Sequence, residues 1–291
     1  MSTSLPAAGP TVLGNGFSLL EFEDRHLTAA VELSAALEWP YRLEDWQFAF
    51  ALGKAAVIED AGSVVATAMW WPFGDVHATF GMIIVSPALQ GRGFGQQLVL
   101  DLLRQTDGRT VFLNSTREGY RLYGRLGFIP DGRIHQHQGV LNEVMPPAPE
   151  VKIDVAHQDD FEAIASLDER AIGFSRRELL AALSSVGRFT VVNRSGVVRG
   201  YACSRRFGRG YVIGPVVADG AADAKALIRD AASRLTGEFV RVDVTEHSGL
   251  STWLEIAGLI KVDQVVSMSR GQRSLHHSGE RVFPLANQSL G

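Results

Sequence analysis

An apolar run at residues 80–85 leads through Pro87 into Gln90-Gly91-Arg92-Gly93-Phe94-Gly95, and an amphipathic stretch follows over residues 95–106. That order predicts a strand, a glycine loop and a helix, and it fixes the frame into which the surrounding chain must fold. Glycines at alternate positions let a backbone close around an anion without Cβ interference, and the helix N-terminus adds partial positive charge. A pyrophosphate fits such a loop. A glycine-rich turn that binds nothing has the same composition, so the loop alone does not separate the two.

Two neighbouring features separate them. The run ends in Ile84-Val85-Ser86-Pro87, where proline stops a ladder and frees the strand edge for another partner, such as a pantetheine amide. Downstream, Leu113-Asn114-Ser115-Thr116 leads into Gly119-Tyr120-Arg121-Leu122-Tyr123-Gly124-Arg125-Leu126-Gly127-Phe128, at the spacing of a next strand and helix. With these motifs the chain resembles the GNAT family of N-acetyltransferases. Its core motif is Arg or Gln, two variable residues, Gly, one variable residue, then Gly or Ala. Gln90, Gly93 and Gly95 match it, and Leu122-Tyr123 with Gly127-Phe128 match the family's later signature. Residues 17–139 carry the resemblance.

The resemblance implies an acetyl-CoA site formed by Ile84, Val85, Gln90, Gly91, Arg92, Gly93, Phe94, Gly95 and Asn114, and direct transfer of acetyl from thioester to amine. In such a transfer the protein positions the reactants, holds the carbonyl and manages two protons. The family's general acid falls on Tyr123, with Tyr120 one turn earlier as a tyrosine outside the motif. A phenol near pKa ~10 and a thiol near ~8.5 are close enough for proton transfer. A backbone N–H near Ile84 or Val85 would hold the carbonyl oxygen. No Asp or Glu lies within residues 80–85 as a base; Asp75 and His77 are the nearest titratable groups, and a water chain or a partly neutral amine serves equally. Family substrate contacts fall on Trp39, Tyr41 and Arg42 and on Met69, Trp70 and Trp71, with His77 nearby. Core packing accounts for many of these aromatics, since alternation sends Trp70 and Trp71 to opposite faces.

The second half repeats the predicted order of the first. A slide of about 131 residues sets Gly127-Phe128 on Gly258-Leu259 and the glycine loop on Gly220-Ala221-Ala222-Asp223-Ala224-Lys225-Ala226, so Gly93 and Gly95 fall on alanines and Tyr123 on Leu254. The expected fold is therefore α/β (α+β), two tandem GNAT-like domains, each a mixed, mainly antiparallel central sheet flanked by helices. The expected divisions are a disordered leader at 1–14, a catalytic domain at 15–145, a degenerate domain at 146–271 and a tail at 272–291. The boundary rests on the proline-rich linker at 143–150.

Composition excludes several other classes. Charge is −4 with no basic stripe, which argues against nucleic acid, and no apolar stretch nears the roughly 20 residues of a membrane span. Cys203 is the only cysteine, and His276-His277 lack further ligands, so neither a disulfide nor a metal is expected. A cytoplasmic location and a small-molecule amine as partner follow as expectations, and a homodimer is compatible with the sequence. The alternatives are a protein lysine acetyltransferase and a non-catalytic acyl-CoA-binding sensor.

Overall fold

A computed structural model describes residues 11–141, 151–272 and 279–291. The expected leader at 1–10, the linker at 143–150 and the pair His276-His277 lie outside the described residues. In chain order the first copy comprises β1 (Thr11–Gly14), β2 (Phe17–Glu21), α1 (Leu27–Ala35), α2 (Leu43–Leu52), β3 (Lys54–Asp60), β4 (Ser63–Phe73), β5 (His77–Val85), α3 (Phe94–Gln105), β6 (Thr110–Ser115), α4 (Tyr120–Arg125) and β7 (Ile129–Val140). The second comprises β8 (Ile153–Val155), α5 (Phe161–Ile172), α6 (Arg177–Val186), β9 (Gly187–Arg194), β10 (Val197–Phe207), β11 (Gly210–Ala218), α7 (Ala221–Ser233), β12 (Phe239–Thr245), α8 (Ser251–Ile256) and β13 (Ile260–Arg270), followed by β14 (Arg281–Val282). Residues 11–14, expected within the leader, form a strand instead: Thr11 pairs with Leu19 in an antiparallel edge.

The chain divides into two compact units, residues 1–71 with 80–107, and residues 72–79 with 108–291. In the first unit the strand order is β1-β2-β3-β4-β5, and β4 buries both faces. Trp71 donates its indole N–H to the Ala49 carbonyl of α2 at 2.7 Å, whereas Trp70 donates to Gln105 of α3 at 2.9 Å, as strand alternation requires. Gly53 ends α2 where a Cβ would stand 2.5 Å from the Trp70 carbonyl, so only glycine fits. Along α3, Phe94, Leu98, Val99 and Leu102 form one buried stripe at helical spacing.

In the second unit the order is β6-β13-β7-β12-β11-β10-β9-β8. The last strand of each copy has changed places with its counterpart. β13 pairs antiparallel with β6 (Ser267 opposite Asn114) and with β7 (Val265 opposite Ile134), while β7 pairs antiparallel with β12 (Gln136 opposite Asp243). The large apolar core of this unit sets α7, through Ala224, Leu227, Ile228 and Ala231, against β-strand residues such as Ala202, Ile213 and Val242. A fully buried ion pair lies elsewhere in the unit: Arg176 grips Asp168 at 2.6 and 2.9 Å, and Tyr201 donates its hydroxyl to the same carboxylate at 2.6 Å.

Candidate functional site

The glycine loop sits where the sequence places it, between β5 and α3, and belongs to the first unit. The ladder gives out at Ser86, whose N–H donates to the Val65 carbonyl at 2.9 Å; one helical turn follows, closed by Leu89 N–H on the Ser86 carbonyl at 2.8 Å. Gln90 folds back and donates its amide to the Val85 carbonyl at 3.3 Å. Gly91 (φ 78°) and Gly93 (φ 88°) are both left-handed. A Cβ at either would meet nothing within 4 Å, so backbone sign and open approach, rather than crowding, select glycine here. Gly93 is the N-cap of α3 and has no side chain to accept from the helix's first amides. Those donors face an exposed loop, which is the condition for a phosphate. Arg92 lies with its guanidinium 5.2 Å from the Phe17 ring centre and 5.7 Å from that of Phe94, two rings that touch at 4.6 Å. The cation is thereby held at the mouth of the loop.

β5 is distorted one turn of pleat earlier. Met82 adopts φ 51°, and its carbonyl accepts from the Thr67 hydroxyl at 3.0 Å. Ile84 is buried and Val85 half-buried, at the last two positions of the strand.

Tyr123 and Asn114 belong to the second unit. Tyr123 is buried on α4, its ring edge-on to Phe128 at 6.0 Å and so close to Gly119 that a Cβ there would lie 2.6 Å from Cε2. Burial alone pushes its phenol well above the ordinary tyrosine range, so the group stays protonated at neutral pH. Asn114 donates to the Gln288 carbonyl at 2.7 Å and accepts from the Ser267 hydroxyl at 2.7 Å, so its amide is oriented by β13 and by the segment beyond β14.

The expected substrate residues do not form one group. Trp39 and Tyr41 are half-buried with rings 6.4 Å apart, between α1 and α2. Trp70 is buried beside α3 and has Lys54 5.7 Å over its ring. His77, in the other unit, is stacked between Phe112 (6.0 Å) and Phe174 (4.6 Å), and its carbonyl accepts from Arg109 at 3.0 Å. Sequence reasoning missed Phe174, which comes from the loop between α5 and α6 and packs on Phe73 as well, at 5.3 Å. No signal near residue 174 announces contacts so distant along the chain. Among the described residues no cluster of three His, Cys, Asp or Glu could hold a metal, and no helix is long and apolar enough to cross a membrane.

Two matches to acetyltransferase (GNAT) domain families cover residues 51–130 and 164–284. The chain belongs to the GNAT acetyltransferase family. It is 24% identical over 279 residues to the uncharacterized N-acetyltransferase YitH of Bacillus subtilis (strain 168), covering 94% of this chain and 98% of that one. Among solved structures it shares its fold with a candidate acetyltransferase from Pyrococcus horikoshii (TM-score 0.78, 18% identity, 97% and 98% of the two chains). A tandem GNAT protein from the clavulanic acid biosynthesis pathway is similar too (TM-score 0.61, 15% identity, 89% and 100%). GNAT domains use an acyl-CoA as acyl donor.

The second GNAT copy differs in a way that corrects the fixed 131-residue slide. α7 has Gly220 as its N-cap, so Gly93 corresponds to Gly220 and not to Ala224. Between strand and helix the first copy has residues 86–93, whereas the second has only Asp219 and Gly220. The loop is deleted, not merely stripped of glycine. Gly220 is also extended (φ −160°) where Gly93 is left-handed.

Proposed function

We propose that the chain is an acetyl-CoA-dependent N-acetyltransferase that passes acetyl to the amine of a small molecule, at one site in its first copy. The contrast between the copies carries the reading: one keeps an eight-residue glycine loop opening on an uncapped helix and a buried tyrosine on α4, while the other has two residues and a leucine.

In this reading the amides of the loop and of α3 hold the phosphates, and Arg92 leaves its two phenylalanines to join them. A backbone N–H near Ile84 or Val85 holds the carbonyl oxygen as the amine attacks, stabilising the charge that builds there. Tyr123 delivers a proton to the departing sulfur. Because burial raises its pKa, Tyr123 is a weaker acid than a free phenol and stands further from the thiol than their ordinary values suggest, so the transfer proceeds only as negative charge accumulates on sulfur. Gly119 and Phe128 fix the ring for this role. The ring of His77, stacked between Phe112 and Phe174, is read as packed structure and not as a mobile base.

A thiol-release assay with acetyl-CoA across amino acids, polyamines, amino sugars, aminoglycosides and lysine peptides tests the reading. Turnover with at least one small amine, exceeding that with peptides, is expected. Turnover on peptides alone points to a protein acetyltransferase, and binding without any turnover points to a sensor.

A further inference from the structure

In the second copy, β11 and β12 run parallel but pair directly only at Tyr211 with Val240 and Val212 with Arg241. Beyond that point a different piece of the chain lies between them. Val282 and Arg281 pair with Val217 and Ala218 of β11. Phe283 N–H donates to the Val216 carbonyl at 2.9 Å, and Val216 N–H to the Pro284 carbonyl at 3.0 Å. On the other edge Thr245 N–H donates to the Phe283 carbonyl at 3.1 Å, and Leu285 N–H to the Asp243 carbonyl at 2.8 Å. The segment is antiparallel to both strands.

Its side chains are seated as firmly as its backbone. Phe283 is fully buried in the core cluster that contains Val216, Val244 and Leu254, the last being the counterpart of Tyr123. Leu285 joins Ile134 and Val265 in a separate cluster. At Gly214 a Cβ would stand 1.9 Å from the Leu285 carbonyl oxygen, so the approach of this segment requires glycine at that position. β11 corresponds to β5 and β12 to β6 in the repeat. The filled gap therefore opens along the strand that, in the first copy, is read as the rail for the pantetheine arm.

We propose that the gap between β11 and β12 is a binding site for an extended peptide, and that residues 281–285 are its resident occupant, standing where this copy would otherwise hold an acyl carrier. The equivalence to an acyl-carrier slot rests on the function proposed above; the peptide site itself does not. An extended peptide offers N–H and C=O groups on both edges, so it satisfies two parted strands at once, and main-chain bonding with one buried aromatic anchor is the mode of recognition by strand addition. With the phosphate loop deleted, the second copy has lost the feature that is read as holding the nucleotide in the first.

The test uses the full chain with a protease site inserted after Gln272. After cleavage, the fragment bearing residues 279–291 is expected to stay with the body through gel filtration and to exchange with a labelled synthetic peptide of the same residues. A Phe283→Asp peptide should compete about a hundredfold less well. Intact and cleaved protein should each bind one acetyl-CoA. Release of the fragment from a folded body, competition indifferent to Phe283, or a second acetyl-CoA bound with the fragment in place would each overturn the proposal. Should the body unfold without its fragment, hydrogen exchange in the intact chain decides: Phe283 and Leu285 amides as slow as those of Val216 and Thr245 support it, and loop-like rates overturn it. A protein that retains the peptide but acetylates no amine refutes the proposed function and leaves this site standing.

Discussion

Phe128 donates its backbone N–H to the Tyr123 carbonyl at 3.0 Å, and Leu259 makes the same bond to Leu254 at 2.9 Å. Each closes a helix through a left-handed glycine, Gly127 (φ 85°) in one copy and Gly258 (φ 88°) in the other. Tyr123 and Leu254 thus occupy one position in two copies of a fold, one with a phenol and one without.

Tyr123→Phe should lower turnover by about a hundredfold or more, the range of general acid catalysis, while calorimetry finds acetyl-CoA affinity within about twofold of wild type. The edge contact with Phe128 survives the substitution, so the fold is retained. Wild-type turnover in the variant removes Tyr123 from the mechanism.

Gly93→Glu should abolish acetyl-CoA binding. The substitution forces a side chain into a left-handed position and places a carboxylate where phosphates are expected. Gly220→Glu, at the corresponding cap, should leave binding at one acetyl-CoA per chain. Two sites per chain by calorimetry contradict the reading of the second copy.

Arg176→Met should destabilise the protein by about 3–5 kcal/mol in urea unfolding, because it strands the Asp168 carboxylate in the interior. Pairing it with Asp168→Leu should recover part of that loss, since no uncompensated charge remains. Burial opposes the Arg176 charge, but Asp168 more than offsets it and raises its pKa; burial and Asp168 together raise that of Tyr201.

The Cys203 thiol, pushed up to about 12 by burial, should resist a disulfide reagent at pH 8 in native buffer and react fully in denaturant. Rapid native reaction shows that β10 opens far more readily than its packing implies.

His135 is held below the usual histidine range by burial, then by Lys261, with Glu246 opposing. Its unfolded form takes up a proton first as pH falls, so its contribution to stability is present above about pH 6.5 and is lost as pH drops through the lower folded value. His135→Gln should flatten the stability profile across that window, as measured by thermal unfolding at stepped pH.

Much of this was legible in the chain. The loop, the buried stripe of α3 and the Gly127-Phe128 closure are local: φ sign, periodicity and capping are written within a dozen residues. The repeat was visible for the same reason, since Gly258-Leu259 rewrites the same closure. A fixed slide failed at Gly220 because deletions in loops leave both periodicities intact and shift only their phase. The partners of Asn114 and the stacking of Phe174 on His77 depend on segments more than 90 residues away, and the seating of Phe283 depends on two earlier strands and the helix after them, so no local pattern encodes them. Strand exchange was illegible on principle, because β7 and β13 have equivalent places in their copies and either pairing satisfies the same alternation.

That exchange also orders events during synthesis. β6 finds its antiparallel partner only in β13, so Asn114 waits for Ser267, and some 150 residues must leave the ribosome in between. In its final pairing the first copy does not close its own sheet, and until β13 is made only the unexchanged pairing of β6 with β7 is open to it. A β6 edge left unpaired is a hazard, and a stalled or truncated product ending before β13 is predisposed to pair with another chain's edge instead.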